Sequence, residues 1–236
     1  GLFTFYMMLI DEKGRTMSDT LVRDYLQTQG LRLSADEVHM AHLAAQAVVA
    51  MGQAEIDRSV LWGGVGGVVP SDYLPQDEET EKLLKQVFMA LDSAWERSGA
   101  RSAAVYLRLR EAGVLLGLAQ RGEAAEGLLL LDEETGWRHL ASRSAQSGWL
   151  NLADDVARWL EFDELRGAAH ADSGSQMALP VTLENGTVLG VVYVEAAEKN
   201  AFDAAAQTVW VGLTLALAEP LRQLAGEDEA REDGHG

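Results

Sequence analysis

Three groups of side chains in this sequence have the types and spacing that could do chemistry: a histidine pair, an aspartate pair and two isolated histidines. His39 and His42 stand three apart in "ADEVHMAHLAAQ" and share a face if that stretch is helical. A metal site needs a third and usually a fourth ligand, and no residue is placed by spacing to supply one. The pair reads as core or surface histidine, and no metal site is expected. Asp154 and Asp155 are adjacent, and adjacent residues on an extended segment point to opposite sides. One is expected to cap the turn at "VARW" and the other to face water, rather than the two acting as an acid–base couple. His139 and His170 are the histidines of the second half of the folded region, and His170 lies in the loop "RGAAHADSGS". Either could serve haem as an axial ligand, although a lone loop histidine is ordinarily solvated.

What is missing narrows the chemistry further. The chain has no cysteine, which excludes disulfide frameworks, thiolate zinc sites, iron–sulfur clusters and cysteine nucleophiles. It has no Gly-x-Ser-x-Gly elbow, the usual marker of serine-based hydrolysis. With neither a nucleophile nor a metal cluster, no catalytic activity is expected. The formal net charge of −18 argues against nucleic acid or an anionic membrane surface as the main partner. No apolar run reaches the roughly 18 to 20 residues that span a bilayer. The opening "GLFTFYMMLI" is too short and lacks a basic flank, so residues 1–16 are a non-diagnostic extension and Met17 reads as a natural beginning. A cytoplasmic location is the expectation.

The elements that must position these side chains follow from periodicity. Leu21, Tyr25 and Leu26 share a helical face that stops at Gly30, and a Ser34/Glu37 capping box opens a second helix to about Met51. The two form a helical hairpin. "WGGVGGVVPSDYLPQDEETE" then breaks all periodicity and reads as a linker or hinge; it lacks the lysine of a phosphate loop. A helix with Leu84, Val87, Phe88, Leu91 and Trp95 on one side ends at Gly99. Strand-like segments "SAAVYLRLR", "GVLLGLAQR" and "GLLLLDEETG" follow, then a short helix in "WRHLASRSAQSG", extended "WLNLADD" and a helical turn in "VARWLEF". In "MALPVTLENGTVLGVVYVE" two apolar runs flank Asn185-Gly186, the signal for a two-residue hairpin turn with positive φ at both positions. Thr187 to Val194 does not alternate apolar with polar, so this strand must be covered on both faces. Phe202 to Leu224 is a closing helix that Pro220 kinks or shortens, and "GEDEAREDGHG" is a charged tail. The organisation read is a helical region with linker over 17–76, an α+β domain on an antiparallel sheet over 77–225, and an acidic disordered tail over 226–236.

Three of these stretches, "SAQSGWLNLADDV", "SQMALPVTLENGTVLGVVYVE" and "NAFDAAAQTVWVGLTLALAEPL", carry a resemblance: residues 81–224 resemble a GAF domain, a sensory module related to PAS domains. The resemblance implies a central antiparallel sheet of five or six strands, terminal helices on one face, and a cap of loops and short helices on the other. It implies a regulatory protein that senses a small molecule under the cap, pairs as a homodimer through its terminal helices, and signals to a separate output protein. Leu84, Phe88, Leu91 and Trp95 on the first helix, and Val209, Trp210, Leu213, Leu217 and Leu221 on the last, supply more apolar surface than one sheet contact needs. The family's chemistries fit less well. Its sulfoxide reductases and bilin carriers need cysteine. Its cyclic-nucleotide binders carry Asn-Lys, then Phe, three residues and Asp-Glu, where this chain has Lys199-Asn200, Phe202 and Ala206-Gln207. The ligand and any cofactor stay unnamed. By analogy to the fold, the residues around a pocket are Trp149, Asp154, Trp159, His170, Gln176 and Tyr193. Trp137, Trp149 and Trp159 either line a pocket for a planar ligand or simply fill the cap. In the second case the chain is a degenerate scaffold acting through its surfaces.

Overall fold

A computed structural model describes residues 17–51 and 55–227; the extension over 1–16 and the tail beyond 227 lie outside the described residues. The elements are α1 (Met17–Thr28), α2 (Ala35–Met51), α3 (Arg58–Trp62), α4 (Glu78–Glu96), β1 (Ser102–Leu109), β2 (Val114–Gly122) and β3 (Leu128–Leu130). They continue as α5 (Glu133–Arg138), α6 (Leu140–Ser147), β4 (Asn151–Ala153), α7 (Val156–Glu161), β5 (Ser175–Thr182), β6 (Val188–Ala196), α8 (Ala204–Ala216) and α9 (Ala218–Ala225). Short polar residues start the helices: Asp77, Asp132, Asp155 and Asp203 each accept a first-turn amide. Pro220 has no N–H for the Ala216 carbonyl, and the closing helix is accordingly broken at Leu217.

All six strands form one antiparallel sheet in the order β3-β2-β1-β6-β5-β4. It is two three-stranded meanders joined along β1 and β6, with α5 and α6 carrying the chain from one edge towards the other. Side chains alternate across it. Ala103, Val105, Leu107, Met177, Leu179 and Val192 enter one core with α4, α8 and α9. Ala104, Tyr106, Ala178, Val191 and Tyr193 enter a second with Leu140, Ala145, Val156 and Leu165 of the cap. The β5–β6 hairpin is thus covered on both faces, as its unbroken apolar pattern requires.

Its turn differs from the expectation. Gly186 has φ of 86°, but Asn185 does not take a positive φ. The Gly186 amide donates to Leu183 O at 3.0 Å and the Leu183 amide to Thr187 O at 2.9 Å, which makes a three-residue loop closed by one left-handed glycine. Asn185 contributes its side chain instead, with Oδ1 accepting the Thr187 amide at 2.9 Å.

Residues 17–76 share the main core. Val22, Tyr25, Leu26, Val38, Leu61, Trp62 and Leu74 pack with the sheet's helical layer. The Tyr25 hydroxyl donates to Pro180 O at 2.9 Å, and Gln29 exchanges bonds with Gly148 O and the Leu150 amide. Helix α2 crosses α8 at Gly212, where a Cβ would stand 2.6 Å from Ala41 Cβ; only glycine permits this approach. Part of the apolar surface of α4 and α8, which the sequence suggests for pairing with a second copy, is covered by α2 of the same chain, while Phe88 and Trp95 stay half-buried beside Arg121 and Gly122. The glycine cluster read as a hinge is docked: Val65 is buried, pairs with Val68, and its carbonyl lies so close to Gly127 that a Cβ there would be 1.9 Å away. Closely spaced small residues suit close backbone packing as well as they suit a hinge.

Candidate functional site

At one end of the cap side, between β1, β2 and β6, the sheet and cap part to leave a cavity of about 220 Å³. Arg101 and Ser102 open β1, Glu123, Ala125 and Glu126 follow β2, and Tyr193 and Glu195 lie near the end of β6. The roof is Arg138 and His139, at the junction of α5 and α6, with Ala169 and His170 from a 3-10 turn. The strand period places Tyr193 towards the cap two residues before Glu195, so the hydroxyl and the carboxylate meet on one face.

Hydrogen bonds fix most of these groups. His139 caps α6, its Nδ1 accepting the Ala141 amide at 3.2 Å, and its ring lies 4.5 Å from that of Tyr193. Burial, with His170 and Arg138 nearby, holds the His139 pKa down at about 3, so the ring is neutral. Its Nε2 stands 4.0 Å from Glu126 Oε2; that would be an ion pair only for a charged ring, which burial opposes. His170 Nε2 donates to Arg138 O at 2.7 Å, because a carbonyl can only accept, and Nδ1 accepts from the Gln176 amide at 2.9 Å. Gln176 also reaches Ser173 Oγ at 3.1 Å and Glu195 Oε1 at 3.4 Å, while its own Oε1 is buried without a donor. Tyr193 donates its hydroxyl to Glu195, and burial followed by that carboxylate pushes its pKa above the phenol range. Tyr106 spends its hydroxyl on Glu126 O at 2.7 Å.

The charges divide unequally. Arg101 pairs with Glu123 at 2.6 Å and Arg138 with Glu126 at 2.8 Å. Glu195, half-buried on β6, receives only the neutral donors Tyr193 and Gln176 among the described residues. No cation touches the Glu195 carboxylate among the described residues, although the Arg101 guanidinium, paired at contact distance with Glu123, is near enough to interact with its charge.

Three of the six residues singled out by analogy come together here: His170 and Tyr193 line the cavity and Gln176 buttresses both His170 and Glu195. The other three lie elsewhere. Trp149 is 58% exposed beyond Gly148, and Asp154 is exposed at the end of β4. Trp159 is half-buried in α7 with the Arg143 guanidinium 5.9 Å from its ring. Asp155, not Asp154, caps α7. Arg101, Glu123, Glu126, Arg138 and Glu195 escape the sequence reading, and the only signal for any of them is Glu195, the polar residue that ends the apolar run of β6. A larger hollow of about 450 Å³ lies on the outside of the cap beside Trp137, Arg143 and Gln146. It is open to solvent, and its guanidinium is spent on Gly136 O and Glu164 O, so it offers less for recognition than the smaller cavity. Among the described residues no group of three or more histidines and carboxylates could hold a metal ion, and no helix is long and apolar enough to cross a membrane.

No protein-family model matches the chain, and no curated protein matches it in sequence. Solved structures do. A protein of Burkholderia vietnamiensis described as a GAF sensor is similar at TM-score 0.55 and 16% identity, over 82% of this chain and 98% of that one. The GAF domain of an Acinetobacter phosphoenolpyruvate-protein phosphotransferase is similar at TM-score 0.54 and 15% identity, over 80% and 96%. A type II free methionine-R-sulfoxide reductase from Thermoplasma acidophilum is similar at TM-score 0.53 and 17% identity, over 62% and 96%. At these identities the likeness shows the fold, which is GAF-like.

Proposed function

We propose that this chain, whose fold is that of GAF domains, is a sensory or regulatory domain that binds a small ammonium-bearing molecule under its cap and performs no chemistry on it. The observation that carries the reading is Glu195: a half-buried carboxylate on the cavity wall, hydrogen-bonded by a phenol and an amide, whose nearby cation, Arg101, is committed at contact distance to Glu123. A charge in such a place is stabilised by an opposite charge, and a ligand ammonium would supply it. The size of about 220 Å³ suits a molecule of amino-acid dimensions and is small for a nucleotide or a tetrapyrrole. The non-catalytic reading is supported by the sequence: with no cysteine, thiol-based sulfoxide reduction has no nucleophile in these 236 residues.

The test is thermal stabilisation of the full chain against a panel of amino acids, small amines, carboxylic acids and nucleotides. An ammonium-bearing compound at 100 times its Kd should stabilise the fold by about 2.7 kcal/mol, and Glu195→Gln should abolish that response while leaving the unliganded melt nearly unchanged. Stabilisation by anions or nucleotides instead would overturn the assignment. A flat response to the whole panel would favour the filled-pocket scaffold, in which Tyr106, His139 and Tyr193 occupy the space a ligand would use.

A further inference from the structure

The turn of the β5–β6 hairpin sets side by side two residues that can react with each other. The chain has three asparagines, Asn151, Asn185 and Asn200, and only Asn185 is followed by glycine. Glu184, Asn185 and Gly186 are exposed, and glycine has no side chain to crowd its own nitrogen. Asn185 Oδ1 accepts the Thr187 amide at 2.9 Å, and the ring closed by that hydrogen bond contains both Cγ of Asn185 and the Gly186 nitrogen. An electrophilic carbon and a nitrogen nucleophile are therefore held in one small ring, open to water. The other two asparagines differ. Asn151 precedes Leu152 and its side-chain nitrogen donates to Ser144 Oγ at 2.7 Å, while Asn200 precedes Ala201.

We propose that Asn185 is a self-modification site, which converts in the folded chain through a cyclic imide to aspartyl and isoaspartyl forms. The Gly186 nitrogen gives its proton to water and bonds to Cγ of Asn185. The side-chain nitrogen takes up a proton and leaves as ammonia, which closes a five-membered ring. Water then adds to either imide carbonyl: opening at Cγ gives aspartate, and opening at the main-chain carbonyl leaves Gly186 joined through the side chain. Water is the only co-reactant. The Thr187 amide, already donating to Oδ1, is placed to hold the negative charge that this oxygen takes on as nitrogen adds. Against it, the Gly186 N–H is donated to Leu183 O at 3.0 Å and must be released. That bond lies in an exposed turn, where a local opening suffices and water takes its place. The favourable contact is kept and the unfavourable one is readily exchanged, so the reaction runs without unfolding. Aspartate at position 185 adds a charge beside Glu184 and can still accept the Thr187 amide. The isoaspartyl form adds one main-chain atom to the three-residue loop, which can then no longer close with the same bonds from Gly186 to Leu183 and from Leu183 to Thr187. Conversion is thus a one-way loosening of the hairpin whose far end carries Gln176 and Glu195, and it does not depend on what the cavity binds.

The test incubates the full chain at mildly alkaline pH, folded and in urea, and follows each asparagine by mass spectrometry of its peptide. Asn185 should turn from amide to acid in the folded chain at a rate within about ten-fold of that in urea, because only a local opening is required. Asn151 and Asn200 should remain amides in the folded sample. Isoaspartyl peptide should appear beside the aspartyl one, since direct hydrolysis of the side chain gives aspartate alone. Asn185→Gln keeps an uncharged amide but must close a six-membered ring, and should slow conversion by roughly 100-fold. A folded-state rate more than about ten-fold below the rate in urea would mean that the Gly186–Leu183 hydrogen bond shuts the reaction, and would overturn the proposal. So would aspartate without isoaspartate, or a glutamine variant that converts as fast as the parent. The comparison of folded with unfolded parent needs no substitution, so it decides the matter even if the variant alters the turn.

Discussion

The two faces of the sheet are covered by different materials. On the helical face the cover is a continuous apolar layer of Leu84, Val87, Leu91, Trp210, Leu213 and Leu217, with the Tyr25 hydroxyl reaching through it to Pro180. On the cap face the layer between sheet and solvent contains His139, Ser142, Ser144, His170 and Gln176, all buried and all tied to backbone carbonyls, amides or each other. Apolar packing removed from the first face has no substitute in solution, so its whole stabilisation disappears. A hydrogen bond broken on the second can be exchanged for one to water or to a ligand. The helical face is therefore the foundation, and the cap face is where occupancy can change at low cost.

The largest effect should come from the foundation. Trp210 is fully buried at the centre of α8. Trp210→Ala removes its packing and should destabilise the fold by about 3–5 kcal/mol, read as a lower urea midpoint at neutral pH. If a cap-side hydrogen-bond deletion such as Ser144→Ala costs as much, the two faces are not different in kind.

A smaller effect, specific to the cap, emerges in acid. An unfolded histidine titrates near 6.5, whereas His139 in the fold is held at about 3 by burial and then by His170 and Arg138. Between those values the unfolded chain binds a proton that the folded chain does not, so stability falls as pH drops below about 6.5 and continues to fall towards 3. At pH 5 the loss from this residue is about 2 kcal/mol. His42, under α2 on the other face and held at about 4 by burial and then His39, adds a slope of its own. His139→Asn retains a residue able to cap α6 and removes the titration. Urea unfolding at pH 7.5 and 5.0 should show this variant losing roughly half as much stability as the parent on acidification. An unchanged slope would mean that His139 reaches water, and that the cap is not the closed layer described.

Which of these features are legible in the sequence follows from how far apart the cooperating residues lie. The hairpin from Met177 to Glu195 announces its double cover because every residue of β6 reports its own surroundings. Gly148 and the Asp154-Asp155 pair announce a helix end and a helix start because caps are local, although which aspartate caps is settled only by the fold. The turn at Asn185-Gly186 reads one residue too short, since the sequence cannot distinguish an Asn that adopts a left-handed backbone from one that uses its side-chain oxygen. Gly63, Gly64, Gly66 and Gly67 have the composition of a hinge, and only the folded loop shows why three of them are small: a Cβ would meet Ser59 O at Gly63, Val68 O at Gly64 and the Gly127 amide at Gly66. The cavity is the least legible. Arg101, Glu123, Glu126 and Arg138 are ordinary surface residues until β1, β2 and α5 bring them together, while the conspicuous Trp149 is left in solvent. Aromatic density draws attention to the cap, but charge at the strand ends forms the wall.

The smallest predicted effect tests the comparison most directly, because it asks whether the cap opens by itself. Asp155 holds the first turn of α7, with Oδ1 accepting the Arg158 amide at 3.3 Å and Lys199 Nζ 3.5 Å from Oδ2. Asp155→Ala should cost about 1 kcal/mol, the usual value of such a cap. If the two faces behave as one cooperative unit, that cost spreads to every amide that exchanges only through global unfolding. If the cap is a separate and weaker unit, exchange should quicken by roughly five-fold within Val156–Glu161 while the amides of β1 and β6 keep their protection, because their exchange depends on the apolar face. Hydrogen exchange resolved by residue distinguishes these outcomes. Uniform acceleration would join the cap to the foundation and leave a ligand under it no separate element to move.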